Sequence, residues 1–230
     1  MALARGARWR RRSTRRSLRF AAVMLAFLAF ACTRPEEPRP EPPAGAPSIL
    51  LFVYDTVRHD AMSAYGVVAA TTPTFDRLAD AGLLYTRAWA NAPWTLPSHV
   101  SLFSGLPVSR HQVGHGGSLR APDELLLLAE RLRGFGYETA GFSENPFLSA
   151  DFNTVQGFDR FVNGERAFPP QFGAAAFVAE WLAQRDRSRP FFLFVNVMDA
   201  HQPYPVVADS AFLPPGTSVE TLQGLDRRVH

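Results

Sequence analysis

Two strongly apolar runs constrain the fold of this chain more than any other feature of its sequence. The first, SILLFVY, covers residues 48–54, and the second, PFFLFVNV, covers residues 190–197. A strand with one solvated face alternates apolar and polar residues, whereas a strand buried on both faces is apolar throughout. Both runs are therefore predicted to be interior strands of a sheet with other elements on its two faces.

The segments between these runs carry the patterns of alternating helices and strands. Apolar spacing predicts helices over Thr74–Ala81, Pro97–Phe103, Pro122–Arg133 and Phe172–Gln184, and strands over Leu83–Arg87 and Tyr137–Phe142. Strands that alternate with helices indicate an α/β fold with a mainly parallel sheet. In such sheets ligands bind at the carboxyl ends of the strands, so the functional site is expected there.

The first 31 residues have the composition of an export signal. They contain eight Arg and no acidic residue, and they end in an apolar run over residues 20–31 that is too short to span a bilayer. The stretch TRRSLRF, residues 14–20, looks like a twin-arginine signal, although an Arg-rich segment also forms Arg pairs by chance. Residues 32–47 are rich in Pro and charge, which predicts an extended tether that does not pack, and the folded domain is predicted over residues 48–230.

Cys32 is the only cysteine and directly follows LAFA. It lies where a bacterial lipoprotein carries its lipidated first residue, but AFA also fits cleavage by the ordinary signal peptidase, which would leave Cys32 incidental. We favour lipidation, and with it membrane attachment of an exported protein in the periplasm or on the outer surface. A single cysteine also excludes a disulfide within the chain.

Charge and composition exclude two classes of function. Removing the eight N-terminal Arg from the 24 basic residues leaves 16, against 21 acidic residues, so a nucleic-acid partner is not expected. The sequence contains no Lys, which excludes mechanisms that need a P-loop lysine or a Schiff base.

Polar residues follow both apolar runs, at the predicted carboxyl ends of the two strands. Asp55 lies in YDTVRHD after the first strand, and His201 lies in MDAHQPY after the second. A carboxylate suits a divalent cation, and a neutral imidazole suits contact with a substrate oxygen or protonation of a leaving group. Asp55 can equally cap a helix, and His201 can be a loop residue bonded to backbone. Arg58 and Asp60 are expected to pair and shape the first loop.

The stretch TLPSHVSLFSG, residues 95–105, predicts a helix that starts near Thr95, with Pro97 in its first turn. Thr-x-Pro-Ser is an ordinary helix entry, so Thr95 can have a purely structural role. Alternatively, the unpaired N–H groups and the helix dipole favour an anion there, either a sulfate or phosphate ester or a Thr alkoxide bound to metal. His99 lies one turn further along this helix.

Four separated blocks cover most of residues 48–205 in order: ILLFVYDTVRHDAMSAYG, TTPTFDRLADAGLLYTRAWANAPWTLPSHVSLFSGLPVSRHQV, LRGFGYETAGF and FFLFVNVMDAHQPY. Together they resemble the sulfatase family of the alkaline phosphatase superfamily. The resemblance implies an α/β sandwich around a large sheet and a divalent metal, which would be Ca, Mg, Mn or Zn. It also implies hydrolysis of small-molecule, glycan or lipid esters of sulfate or phosphate through a covalent intermediate.

The resemblance places the family nucleophile on Thr95, which would also bind the metal, and the first metal ligand on Asp55. Formylglycine-dependent sulfatases have Cys-x-Pro-Ser-Arg at this place, whereas the chain has Thr-Leu-Pro-Ser-His, and formylglycine cannot form at Thr95. The usual acidic neighbour of Asp55 is replaced by Thr56, which leaves the metal site one carboxylate short.

The resemblance also implies contact with substrate for two residues, and a third is assigned to the substrate from its position beside Thr95. His201 matches a substrate-contacting His that precedes a Pro-aromatic pair. Asn145 lies in SENPF, where the family has a Lys-Trp-His segment. His99 belongs to the nucleophile block and is assigned to the substrate as well.

The remaining metal ligands of the family, an Asp paired with His or Asn, would lie beyond residue 230. Residues 48–230 are therefore interpreted as the N-terminal part of a catalytic domain, inactive alone and with an open apolar sheet edge. The predicted function is a sulfatase-like hydrolase. The alternatives are a phosphoryl transferase of the phosphoglycerol or phosphoethanolamine type, and a non-catalytic exported protein that binds anionic glycans or lipids.

Overall fold

The structure is a computed structural model, and it describes residues 39–67, 70–114, 116–164 and 173–201. The predicted export signal, the predicted lipidation site Cys32 and the stretch after His201 lie outside the described residues. Of the first 39 residues, only Arg39 is described.

A sheet of parallel strands in the order β1-β4-β2-β3 forms the centre of the described chain. The strands are β1 (Ile49–Tyr54), β2 (Glu138–Ser143), β3 (Arg160–Asn163) and β4 (Phe191–Val197). β1 pairs with β4 along its whole length, so the two strands predicted from apolar runs are direct neighbours. The predicted α/β fold with a parallel sheet is confirmed.

Helices lie between the strands along the chain. They are α1 (Pro73–Ala81), α2 (Thr95–Ser104), α3 (Val108–His111), α4 (Leu128–Gly134) and α5 (Ala174–Gln184), with three short 3-10 turns at His59–Ala61, Ser63–Tyr65 and Ala150–Phe152. The helices predicted at α1, α2 and α5 are confirmed. Within the described ranges, every helix is too short or too polar to cross a membrane.

Strand β4 is buried on both of its faces. Phe192 and Phe194 pack into a cluster with Phe103 of α2, whereas Leu193 and Val195 pack into a second cluster with residues of α5. This alternation places helices on the two faces of the sheet, which explains why the run reads as continuously apolar.

Two predicted elements are wrong. The segment Leu83–Arg87 is a loop and not a strand, and its apolar side chains are largely exposed, with Leu83 at 75% and Tyr85 at 68%. The helix predicted over Pro122–Arg133 begins only at Leu128, after a stretch of turns. The Leu127 N–H donates to Oε2 of Glu130 at 2.8 Å. Because Glu130 lies in the first turn of α4 and Leu127 directly precedes the helix, this bond fixes the start of α4.

Residues 40–47 pack against the domain, contrary to the prediction of an extended tether that does not pack. Nη1 of Arg189 donates to the carbonyl of Pro40 at 3.0 Å, and the hydroxyl of Tyr137 donates to the carbonyl of Pro47 at 3.0 Å. Ala46 packs against the cluster that contains Phe103. A Pro-rich stretch lacks N–H donors but keeps its carbonyl acceptors, and the domain uses those carbonyls.

One face of β1 is left uncovered by the described residues. Leu50 is 60% exposed and Phe52 is 44% exposed, and they line an apolar cavity of about 390 Å³ together with Val178 and Leu182 of α5. β1 also ends the sheet, since among the described strands it pairs only with β4. An apolar strand at a sheet edge is a site for unwanted association.

Replacing Leu50 by threonine is expected to reduce self-association while changing the free energy of unfolding by less than about 1 kcal/mol, because the side chain is already mostly in water. Leu193 is the matched control, since it is the register partner of Leu50 and only 3% exposed. Leu193→Thr should cost about 2–4 kcal/mol. Light scattering and urea unfolding measure both effects, and equal destabilisation by the two variants would contradict the open face.

Candidate active site

The carboxyl ends of β1 and β4 form the floor of the site. Because the strands are parallel neighbours, Asp55 follows β1 beside the loop that follows β4, and its N–H donates to the Val197 carbonyl at 2.9 Å. The Thr56 hydroxyl donates to the Ala200 carbonyl at 2.8 Å and ties the two loops together. The expectation that these two polar segments meet is confirmed.

Asp55 is 8% exposed, and one of its oxygens is held by two amide groups. Oδ2 accepts from Nδ2 of Asn145 at 3.1 Å and from Nδ2 of Asn196 at 3.2 Å. Oδ1 accepts no hydrogen bond from another described residue, so it is the oxygen left for a ligand.

Thr95 is the first residue of α2, and Trp94, in an extended conformation, precedes it as the cap residue. Oγ1 of Thr95 accepts a hydrogen bond from Nδ2 of Asn145 at 2.9 Å. The same nitrogen bonds Asp55, so a single amide joins the Thr95 hydroxyl to the carboxylate. Both oxygens lie within 3.1 Å of this one nitrogen, so Asp55 and Thr95 are candidates to share a cation, which binds oxygens at about 2.3–2.6 Å.

A cavity of about 640 Å³ opens above these residues. Among its lining residues are Asp55, Thr56, Thr95, Asn145, His99 and His201. The structure thus brings every predicted metal, nucleophile and substrate residue of the described chain to one cavity. The backbone N–H of His201 donates to the Met198 carbonyl at 2.8 Å, which forms a tight turn after β4.

Thr56 has a left-handed backbone conformation, with a φ of 60°. This region is rare for a β-branched residue and is a recognised sign of strain near functional sites. The hydroxyl is engaged with Ala200, and its coordination of a metal stays a prediction.

Arg58 and Asp60 pair as predicted. Nε and Nη2 of Arg58 donate to the two carboxylate oxygens of Asp60 at 2.9 and 2.6 Å. The pair is exposed, so it shapes the loop without entering the cavity floor.

His99 lies beneath Thr95 and is only 6% exposed. Its Nδ1 donates to the Thr95 carbonyl at 2.9 Å, and the ring packs edge-on against Phe103 and Phe194. Nε2 is buried and makes no hydrogen bond with the described residues. The ring supports the first turn of α2, and its contact with substrate stays a prediction.

Burial lowers the pKa of His99 below its ordinary value of 6.5. The folded ring is therefore harder to protonate than the ring of the unfolded chain, so stability is lost as the pH falls below 6.5. We expect the free energy of unfolding in urea to be lower at pH 5.5 than at pH 7.5, by up to about 1.4 kcal/mol on account of this residue. His99→Asn, which keeps a donor for the Thr95 carbonyl, should weaken the pH dependence, whereas His59→Asn at an exposed position is the control. If the free energy of unfolding of His99→Asn depended on pH as strongly as that of the wild type, His99 would not be the source of the pH dependence.

Two buried polar contacts were missed from the sequence, and one of them lies at the site. Asn196 is fully buried inside β4, where its amide accepts from the Ser143 hydroxyl at 2.9 Å and donates to Asp55. The available signal was a single polar residue within an apolar strand. A second buried pair, Ser101 with Nε2 of His111 at 2.9 Å, fixes α3 against α2.

The donor set is suited to a hard divalent cation, since a carboxylate and a hydroxyl are oxygen ligands of the kind Mg²⁺ and Ca²⁺ prefer. Among the described residues, no three His, Cys, Asp or Glu side chains lie together in a group that could hold a metal ion. Asp55 is therefore the one acidic ligand that this part of the chain offers at the cavity.

The family model described as Sulfatase matches residues 47–214. The N-acetylgalactosamine-6-sulfatase of Sus scrofa is 32% identical over 103 residues, which are 40% of this chain and 20% of that protein. The chain thus aligns with about a fifth of the length of this curated relative.

Two solved structures share the fold. The phosphonate monoester hydrolase of Agrobacterium radiobacter has a TM-score of 0.56 at 24% identity, over 71% of this chain and 43% of that one. A protein in complex with its substrate D-glucosamine-2-N,6-O-disulfate has a TM-score of 0.60 at 18% identity, over 73% of this chain and 38% of that one. Because the family model matches well more than half of the residues, this chain belongs to the sulfatase family.

Proposed function

We propose that the chain carries part of the active site of a sulfatase-like hydrolase, which acts on sulfate or phosphate esters with Thr95 as nucleophile. The observation that carries this proposal is the amide of Asn145, which bonds the Thr95 hydroxyl at 2.9 Å and the Asp55 carboxylate at 3.1 Å. A hydroxyl and a carboxylate are thereby held side by side at a helix start that faces a large cavity.

Asp55 and Thr95, with Thr56 beside them, would hold a divalent cation. When bound, such a cation stabilises negative charge on the transferred group and favours ionisation of the hydroxyl. Two firm ligands hold a cation weakly, so we propose that the 230-residue chain alone does not turn over substrate steadily.

The chain's own residues have separate roles in the proposed reaction. Oγ1 of Thr95, after losing its proton to water, forms a bond to sulfur or phosphorus while the ester oxygen on the opposite side leaves. His201 lines the same cavity and gives the leaving oxygen its proton. Pro97 has no N–H and the Ser98 N–H donates to the Trp94 carbonyl, so the N–H groups of Thr95 and Leu96 are those that would stabilise the oxygens of the transferred group. Water then displaces the Thr adduct.

The identity of residue 95 bears on the choice between sulfate and phosphate. Formylglycine sulfatases release sulfate by elimination from a hemiacetal, and a Thr ester has no such route. The one cysteine of the chain is Cys32, so Thr95 has no formylglycine substitute. This favours phosphoryl chemistry, including transfer to an acceptor other than water, whereas the family match favours sulfate esters.

Because a Thr ester cannot be released by elimination, the covalent adduct should accumulate, and its detection tests the proposed function. The chain is incubated with nitrophenyl sulfate or nitrophenyl phosphate at millimolar concentrations of a divalent cation and then analysed by intact-mass spectrometry. We expect a covalent adduct that maps to Thr95 and accumulates without steady release of nitrophenol. Absence of an adduct with either ester at any cation concentration would support the alternative, a non-catalytic protein that binds anionic glycans or lipids.

We propose further that the protein is exported and attached to a membrane through a lipid on Cys32. The support is the Arg-rich, apolar N-terminal segment and the position of Cys32 directly after it. Palmitate labelling of the wild type, lost in Cys32→Ala, is the expected result. Equal absence of label in both proteins would exclude the lipid anchor.

A further inference from the structure

We infer that Asn145 is a catalytic residue whose amide stabilises the alkoxide form of Thr95, a role that rests on the proposed function. The expectation from the resemblance was contact with substrate. The structure instead engages the amide nitrogen with the reacting oxygen atom itself, at 2.9 Å.

The orientation of the Asn145 amide is fixed by a backbone partner. The N–H of Phe147 donates to Oδ1 of Asn145 at 3.0 Å. A backbone N–H can only donate, so the amide oxygen must lie on that side. The NH₂ group is therefore the end that faces Thr95 and Asp55.

Both hydrogens of this NH₂ group have a partner. One goes to Oδ2 of Asp55 and the other to Oγ1 of Thr95. Thr95 thus receives a hydrogen bond on its oxygen, and a hydrogen bond to the charged form of a group favours ionisation. Asn145 is only 2% exposed, so water does not compete for these contacts.

A chain of buried hydrogen bonds holds the amide in place. The N–H of Asn145 donates to Oγ of Ser143 at 3.0 Å, and that hydroxyl donates to the Asn196 amide oxygen at 2.9 Å. Nδ2 of Asn196 must then face Asp55, to which it donates at 3.2 Å. The Ser143 hydroxyl also lies 3.5 Å from the Asn145 carbonyl, but the Asp55 carboxylate can only accept, so both amides keep their NH₂ groups towards it before substrate arrives.

The amide of Asn145 also reduces the electrostatic repulsion between Asp55 and an ionised Thr95. An alkoxide at Thr95 would lie close to the negative charge of Asp55, and like charges oppose ionisation. A cationic side chain between the two groups could offset this repulsion, but the chain contains no Lys, and no Arg is among the described residues that line the cavity. The NH₂ group of Asn145 places a partial positive charge between the two oxygens without adding a proton that could be lost.

The inference can be tested without turnover or metal. In a Cys32→Ser background, Thr95→Cys introduces a thiol whose ionisation is measured by absorbance and by its rate of alkylation with iodoacetamide, in the presence of chelator. Adding Asn145→Leu, which has similar volume and no donor, is expected to raise the pKa of this thiol and to slow alkylation at pH 7 about tenfold. Thr139→Val is the control, because Thr139 is fully buried and bonded to Gly157 and Asp159.

An Asn145→Leu protein that alkylates as fast as the parent would overturn the inference, as would equal slowing by Thr139→Val. If Asn145→Leu does not fold, Asn145→Asp gives the same readout, and its added negative charge should slow alkylation even further. The result that would overturn the role of Asn145 differs from the result that would overturn Thr95 as the nucleophile. A covalent adduct that survives in Thr95→Ala would remove Thr95 as the nucleophile, whereas the thiol titration would still report whether Asn145 acts on residue 95.

Discussion

Replacement of Thr95 by alanine is expected to abolish the covalent adduct formed from nitrophenyl sulfate or nitrophenyl phosphate, a loss of at least about 10³-fold in adduct per chain. The reason is that Oγ1 is the atom proposed to bond to sulfur or phosphorus, and the described residues contain no Lys or Cys that could replace it. Intact-mass spectrometry with peptide mapping measures the adduct directly.

Thr95→Ser is the matched control for this variant. It keeps a hydroxyl at the start of α2 and the acceptor for Asn145, so adduct formation is expected to persist at a reduced rate. A Thr95→Ala chain that still carries the adduct on another residue would show that the nucleophile lies elsewhere.

Replacing Asp55 by asparagine is expected to remove the rise in melting temperature that a divalent cation gives the wild type. Ligand that binds only the folded state adds stability by mass action, about 2.7 kcal/mol at a hundredfold excess over the dissociation constant. Since two ligands bind weakly, the titration with Mg²⁺, Ca²⁺, Mn²⁺ and Zn²⁺ must extend to tens of millimolar. Differential scanning fluorimetry measures the shift.

Without cation, the Asp55→Asn chain is expected to be no less stable than the wild type. An amide oxygen can still accept from Asn145 and Asn196, and the variant no longer buries a negative charge. Asp60→Asn is the control, because Asp60 is exposed and paired with Arg58 away from the cavity floor. A cation shift that survives in Asp55→Asn, or that disappears in Asp60→Asn, would exclude Asp55 as the ligand.

The parts of the fold that could be predicted from sequence are those in which burial leaves a recognisable apolar pattern. Strand β4 was predicted because neighbours cover both of its faces and make its sequence almost continuously apolar. Strand β1 was predicted from the same kind of run, although the described residues leave one of its faces uncovered. β3, with the residues RFVN, is too short to show a period. The start of α4 depends on one side-chain contact of Glu130, which apolar spacing does not report.

The site also contains positions that the sequence locates and contacts that it does not. Asp55, Thr95 and His201 could be predicted because a strand end and a helix start are positions that a sequence pattern locates. The contact of Asn145 with Thr95 and the burial of Asn196 depend on side-chain orientation across three strands. No spacing along the chain encodes which end of an amide faces a carboxylate.

The left-handed backbone conformation of Thr56 indicates which residue could replace it. Asp and Asn adopt the left-handed conformation several times more readily than other non-glycine residues, and Thr does so at a steric cost. The backbone at residue 56 thus has a conformation that suits an acidic residue, which is the type that the resemblance to the sulfatase family implies at this position. Thr56→Asp should therefore fit the existing backbone geometry and increase the affinity for a divalent cation. Calorimetric titration measures that affinity. An unchanged affinity would show that a carboxylate at residue 56 does not bind the cation.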